Sequence, residues 1–111
     1  MQIELVEQQE GVTVVAPKGR LDMASAPEFR ESVKRLVESG SGRMVVDLHD
    51  VSFVDSSGLG AIVGGLKAAR NAGGDLRIAR ANQQVLLVLD LTSLNRVLKP
   101  YETVEEATAG F

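Results

Sequence analysis

Short β-branched runs alternate along this chain with segments whose apolar residues recur every three to four positions, and that alternation limits the fold more than any other feature. Residues 12–16 (Val-Thr-Val-Val-Ala) and 44–48 (Met-Val-Val-Asp-Leu), with the pair Leu76 and Ile78, are too short for helices and rich enough in β-branched residues for strands. Between them Phe29, Val33, Leu36 and Val37 mark one amphipathic helix, and Leu59, Ile62, Val63 and Leu66 mark a second. Strands separated by crossover helices make a parallel arrangement covered by helices. Residues 2–7 alternate weakly and read as an edge strand. Residues 8–11 then read as a hairpin turn into the strand that Pro17 closes, so the opening pair is antiparallel.

Local signals complete the pattern. Ser25, Pro27 and Glu28 form a helix start, the Ser hydroxyl accepting a backbone N–H and Glu28 reaching back to it, and Ser39 and Gly40 close that helix. Residues 49–55 read as a connection. Asn82 caps a third helix containing Val85, Leu86 and Leu89, residues 96–98 read as a weak last strand, and Thr103 with Glu106 caps a short final helix. The expected order is β-β-α-β-α-β-α-β-α: a single α/β domain over residues 1–111, with a mixed four- to five-stranded sheet covered by about four helices.

Composition narrows the chemistry. A chain of 111 residues supports one compact core. Twelve basic against fifteen acidic residues give a net charge of -3, which leaves no surplus to neutralise a phosphate backbone, so no nucleic acid is expected. The absence of cysteine excludes a disulfide framework, a thiolate zinc site and a thiol nucleophile. His49, the one imidazole, has no Gly-x-Ser-x-Gly elbow to serve, so neither a serine hydrolase nor a catalytic residue is expected. Gly58, Gly60 and Gly64 miss the dinucleotide-binding spacing by one residue, and Gly65-Leu66-Lys67-Ala68 is not a phosphate-loop ending. Asp47, Asp50 and Asp55 lack the spacing of a cation loop and read as solvated charges. No metal or cofactor is expected. The acidic start is no signal peptide, and no window approaches the ~20 apolar residues that span a bilayer, so a cytoplasmic location without direct membrane contact is expected. Because the core assignment leaves no long apolar surface stripe, a monomer is expected.

Residues 51–60, Val-Ser-Phe-Val-Asp-Ser-Ser-Gly-Leu-Gly, stand apart. Their polar centre, Asp55, Ser56 and Ser57, directly precedes an amphipathic helix. These side chains cap first-turn N–H groups in one reading. In the other, a hydroxyl sits exposed at a helix N-terminus, where free N–H donors and the helix dipole suit a phosphate. The same helix holds Gly60, Gly64 and Gly65, each costing about 1 kcal/mol relative to Ala. Either they pack closely on the protein's own sheet or they leave a flat strip on which a partner helix lies.

This motif, with Gly19-Arg20-Leu21-Asp22 upstream, the Gly73-Gly74 turn, the apolar third helix and the closing Thr103-Val104-Glu105-Glu106-Ala107, resembles the bacterial anti-sigma-factor antagonists, single-domain members of the STAS family. The similarity covers nearly the whole chain. It implies a partner-switching protein without catalysis of its own. In such a pathway an anti-sigma factor that is also a serine kinase phosphorylates the first serine after the aspartate, here Ser56. The unphosphorylated form captures the anti-sigma factor and frees sigma, and a PP2C-type serine phosphatase restores that form. Many relatives lack the acceptor serine. Asp22 and Asp55 match the family's two aspartates, and the expected partner-binding set is Asp22, Asp55, Ser57, Gly58, Leu59, Gly60 and Gly64. The same resemblance leaves open a non-sigma output such as secretion, motility or second-messenger synthesis, or a STAS subunit of a membrane transporter. A small-ligand sensor would need an apolar cavity with a few polar anchors.

Overall fold

The computed structural model describes residues 1–7 and 11–111. The element order is β1 (Gln2–Glu7), β2 (Thr13–Leu21), α1 (Ala26–Glu38), β3 (Arg43–Asp47), β4 (Val51–Val54), α2 (Ser56–Asn71), β5 (Asp75–Ala79), α3 (Gln83–Leu91), a 3-10 turn (Leu94–Arg96), β6 (Pro100–Tyr101) and α4 (Val104–Ala109). Of the hairpin turn expected at residues 8–11, residues 8–10 lie outside the described residues. The strands it joins pair antiparallel, Gln2 opposite Lys18 through Glu7 opposite Thr13.

All other strand pairs are parallel, in the order β1-β2-β3-β5-β6, with β4 beside β2. Among the described residues this mixed sheet has six strands rather than four or five. The extra strand is β4, taken from the residues read as a connection: Val51 and Val54 are buried while Ser52 is exposed, a pattern too short to stand out in sequence. The last strand is also displaced. Residues 96–98 belong to the 3-10 turn and its exit, with Leu98 buried, and pairing with β5 comes at Pro100 and Tyr101.

Strand alternation gives the sheet two buried faces. Val15, Met44, Val46 and Ile78 point into the main core with Phe29 and Val33 of α1 and Ile62 and Leu66 of α2. Val12, Val14, Val45 and Ala79 point the other way, against Ala107 of α4, with Tyr101 and Phe111 over them. Two-sided burial explains why the strands read as continuous apolar runs.

One local device positions everything that follows. β2 is long enough to serve two partners: Thr13, Val14 and Val15 pair with β3, and its tail from Gly19 pairs with β4, with a register shift between Gly19 and Arg20. Gly19 takes φ +103, open to glycine but strained for other residues, and its N–H donates to the Asp50 carbonyl at 2.9 Å. The bend brings the end of β2 beside the end of β4, Leu21 opposite Val54.

Three further expectations are corrected here. Ser25 stands at the N-cap of α1 but makes no capping hydrogen bond; its hydroxyl donates to the Arg20 carbonyl at 2.6 Å and accepts from the Asp22 N–H at 3.0 Å, so it ties the incoming loop. Asp47 is buried, not solvated. Its carboxylate accepts both Arg80 Nε, at 2.9 Å, and a second guanidinium nitrogen, and also the His49 N–H at 3.2 Å. Burial pushes that carboxyl up, but the Arg80 hydrogen bonds, the His49 N–H and the Arg80 charge outweigh it and hold the group below the usual carboxylate range. Finally, α3 leaves Leu87 and Leu91 exposed, 56% and 75%, which removes the premise that no apolar surface is left over.

Candidate functional site

The site lies where β2 and β4 end side by side. Leu21 accepts the Asp55 N–H at 3.3 Å, which carries the strand pairing one residue past β4. Asp55 then takes an extended conformation, φ -96 and ψ -174, and caps α2: its Oδ1 accepts the Gly58 N–H at 2.8 Å. Oδ2 reaches across to accept the Met23 N–H at 3.2 Å. One carboxylate thus joins the start of α2 to the loop after β2.

That loop is organised by the second predicted aspartate. Asp22 Oδ1 accepts the Ala24 N–H at 3.0 Å and the Ser25 N–H at 3.2 Å. Its other oxygen lies 3.5 Å from Arg20 Nε, and the Arg20 guanidinium stacks on Phe53 with 4.3 Å to the ring centroid. Burial pushes the Asp22 carboxyl up, yet the Ser25 and Ala24 N–H groups, with Arg20 and the Ser25 hydroxyl behind them, hold it below its ordinary value. Met23, between the two aspartates, is 76% exposed.

Ser56 is the first residue of α2 and is exposed; its hydroxyl takes no hydrogen bond among the described residues. Ser57 is half-buried. Capping therefore falls to Asp55 alone, and the neighbouring hydroxyl is left free. The first-turn donors are less available to a phosphate than the sequence suggests, since Gly58 N–H goes to Asp55 Oδ1 and Leu59 N–H to the Asp55 carbonyl at 2.9 Å.

The glycines of α2 divide into two kinds. A Cβ on Gly58 would sit 2.0 Å from the Leu21 carbonyl oxygen, and one on Gly65 would sit 3.1 Å from Leu76 Cδ1 and 3.2 Å from Val33 Cγ1. Close packing accounts for both. Gly60 and Gly64 are exposed, and a Cβ on either meets nothing within 4 Å. Ser56, Gly60 and Gly64 fall at i, i+4 and i+8 on one open row. The row leads into a groove of about 330 Å³ between α1 and α2, floored by Val33, Gly65 and Ala68 and edged by Arg30 and Lys34. Leu59 departs from the expected docking set: it is 3% exposed and packs in the core, so its side chain is no part of the surface.

The sequence reading missed Arg20, Met23 and Gln84. Gln84, on the first turn of α3, hydrogen-bonds both backbone groups of Val54. A contact thirty residues away leaves no local sequence signal.

The STAS domain description matches residues 5–107, and the chain belongs to that family. The Anti-sigma-B factor antagonist of Bacillus subtilis (strain 168) is 34% identical over 93 residues, 84% of each chain. The Anti-sigma F factor antagonist of Paenibacillus polymyxa is 30% identical over 103 residues, 92% of this chain and 87% of the relative. Among solved structures, SpoIIAA of Bacillus in its phosphorylated form superposes with TM-score 0.73 at 20% identity, covering 96% of each chain, a likeness of fold. Among the described residues, no helix is long and apolar enough to cross a membrane.

Proposed function

We propose that the chain is an anti-sigma-factor antagonist whose binding is switched by phosphorylation of Ser56. The observation that carries this is the free, exposed Ser56 hydroxyl at the start of α2, directly after Asp55, whose carboxylate reaches the loop that Asp22 organises, in a chain similar over most of its length to anti-sigma factor antagonists. The unphosphorylated protein captures an anti-sigma factor that doubles as a serine kinase. A PP2C-type serine phosphatase returns the modified form to that state. The protein acts by binding, without catalysis of its own.

The site's chemistry supports the direction of the switch. Phosphorylation adds about -1.5 to -2 charge to a small hydroxyl. Next to Asp55, whose carboxylate reaches the Asp22 loop, that charge is tolerable in water but unfavourable once a partner excludes water, because like charges in a desolvated contact cost several kcal/mol. With Gly58 and Leu59 N–H already engaged, solvent carries most of the phosphate in the free protein, and the backbone has no reason to move. Gly60 and Gly64 extend the contact. Two helix-interior glycines that the fold does not require are accounted for by a partner lying against bare backbone.

The test is to isolate the protein from its host, map its phosphopeptides and identify what co-purifies before and after phosphatase treatment. Phosphate on Ser56 and a kinase-type anti-sigma factor held only by the dephosphorylated form are expected. Ser56→Ala, which removes an unpartnered exposed hydroxyl, should fold as the wild type does and bind constitutively, while Ser56→Asp should bind at least about tenfold more weakly. Equal affinity of the two variants for that partner sinks the proposal.

A further inference from the structure

Among the described residues, β4 has a strand on one side only. Its pairing with β2 leaves the opposite edge without a strand neighbour, and a strand edge with unpaired N–H and C=O groups is either solvated or covered. Here the first turn of α3 covers it with amide side chains. Asn82 Nδ2 lies 3.2 Å from the Val51 carbonyl oxygen and 3.3 Å from that of Ser52, while its Oδ1 accepts the Val85 N–H at 3.0 Å and caps α3. Gln84 goes further: Oε1 accepts the Val54 N–H at 3.0 Å and Nε2 donates to the Val54 carbonyl at 2.8 Å. This is the exchange a neighbouring strand would make, delivered by one side chain.

We propose that Gln84 is the positioning residue of the phosphoacceptor, pinning both backbone groups of Val54 from the side that β2 does not reach and so fixing where Ser56 is presented to a kinase. The inference rests on the reading of Ser56 as the acceptor. Val54 lies two residues before Ser56, and the intervening Asp55 is already tied on the β2 side through Leu21 and Met23. Removing Gln84 leaves the strand end held from one flank. Phosphoryl transfer depends on placement, and displacement of a reacting group by about 1 Å costs up to about a hundredfold in rate. The residue type follows from the same geometry. A carboxamide offers a donor and an acceptor side by side, whereas an ionised carboxylate lacks the donor and Lys or Arg lacks the acceptor.

The test exploits that difference. Protonated Glu reproduces the donor and acceptor pair of Gln; ionised Glu does not. Amide spectra and hydrogen exchange of the wild type, Gln84→Ala and Gln84→Glu are recorded between pH 4 and 7.5, with Gln83→Ala as a control on the exposed face of the same turn. The wild type recorded over the same range subtracts any pH effect common to the three proteins. In Gln84→Ala the Val54 amide should exchange at least about tenfold faster and the Ser56 and Ser57 signals should move. Gln84→Glu should displace the Ser56 signals at pH 7.5, where its carboxylate meets the Val54 carbonyl without a donor, and return them to wild-type positions at the acid end, which a general loss of packing does not do. With the host kinase, Gln84→Ala should lose about tenfold in kcat for Ser56 at unchanged KM. Ser56 signals that stay at wild-type positions in both variants, or that fail to return in acidified Gln84→Glu, overturn the proposal. A wild type that no kinase modifies at Ser56 refutes the reading of Ser56 instead, and the spectra still decide the role of Gln84.

Discussion

The two sides of α2 obey opposite rules. Its inner side, Gly58, Ala61, Ile62, Gly65, Leu66 and Ala69, is buried, and each glycine there answers a neighbour: Gly58 the Leu21 carbonyl, Gly65 the side chains of Val33 and Leu76. Its outer row, Ser56, Gly60 and Gly64, is equally small and answers nothing in the molecule. Small residues in one helix therefore have two causes, which only the surrounding structure separates. On the inner side the helix must approach its neighbours, backbone at Gly58 and side chains at Gly65; on the outer side a helix-destabilising composition persists with no internal reason. The outer side is where the switch is proposed.

Substitution should split the two sides by sign. Gly58→Ala forces a Cβ to 2.0 Å from a backbone oxygen that cannot swing away, so α2 or the end of β2 must shift; we expect a loss of about 3 kcal/mol or more, read as a large fall in Tm. If Gly58→Ala melts with the wild type, the distinction between the sides is broken. The double change Gly60→Ala, Gly64→Ala should act oppositely. Both positions are helical and open, so removing the glycine penalty should stabilise the protein by about 2 kcal/mol while weakening capture of the anti-sigma partner. Greater stability with undiminished capture would leave the outer glycines without a functional cause.

Much of this was legible in the sequence, and the misses share a physical cause. The strands of residues 44–48 and 75–79 and the helices built on Phe29 and on Leu59 announce themselves because burial on a sheet or a helix face imposes a period. Caps at Asn82 and Thr103 were readable because they act over three residues, and the structure has Asn82 and Thr103 accepting the N–H groups of Val85 and Glu106. β4 escaped notice because four residues show little period, and because its existence depends on β2 changing partner at Gly19. Asp47 read as solvated because Arg80 is thirty-three positions away. The site divides the same way. Ser56, Asp55 and Asp22 are proposed from a contiguous motif and an upstream match, and the structure brings the Asp22 loop to Asp55 at the start of α2. Leu59 was misassigned because a motif does not say which of its members faces inward, and Gln84 and Met23 are brought in by tertiary contact alone.

Acid offers the gentlest separation of the two sides, because the inner side carries nothing that titrates whereas the outer row ends beside the Asp22 loop. The folded Asp22 carboxyl is held below its ordinary value, so its ionised form favours the folded loop. That contribution is complete above the unfolded value of about 3.9 and is lost as pH falls through the lower folded value. The Ala24 and Ser25 amides, which donate to Asp22 Oδ1, report it directly. Their proton shifts should titrate with a midpoint below 3.9, while the Leu66 and Ala69 amides in the buried side of α2 stay unchanged over the same range. Asp22→Asn should abolish the titration and lower Tm slightly at neutral pH, with the difference from wild type shrinking as pH falls. A midpoint at or above 3.9, or a Leu66 signal that moves in step with Ala24, would mean that loop and helix respond as one body and that the two sides of α2 are not independent.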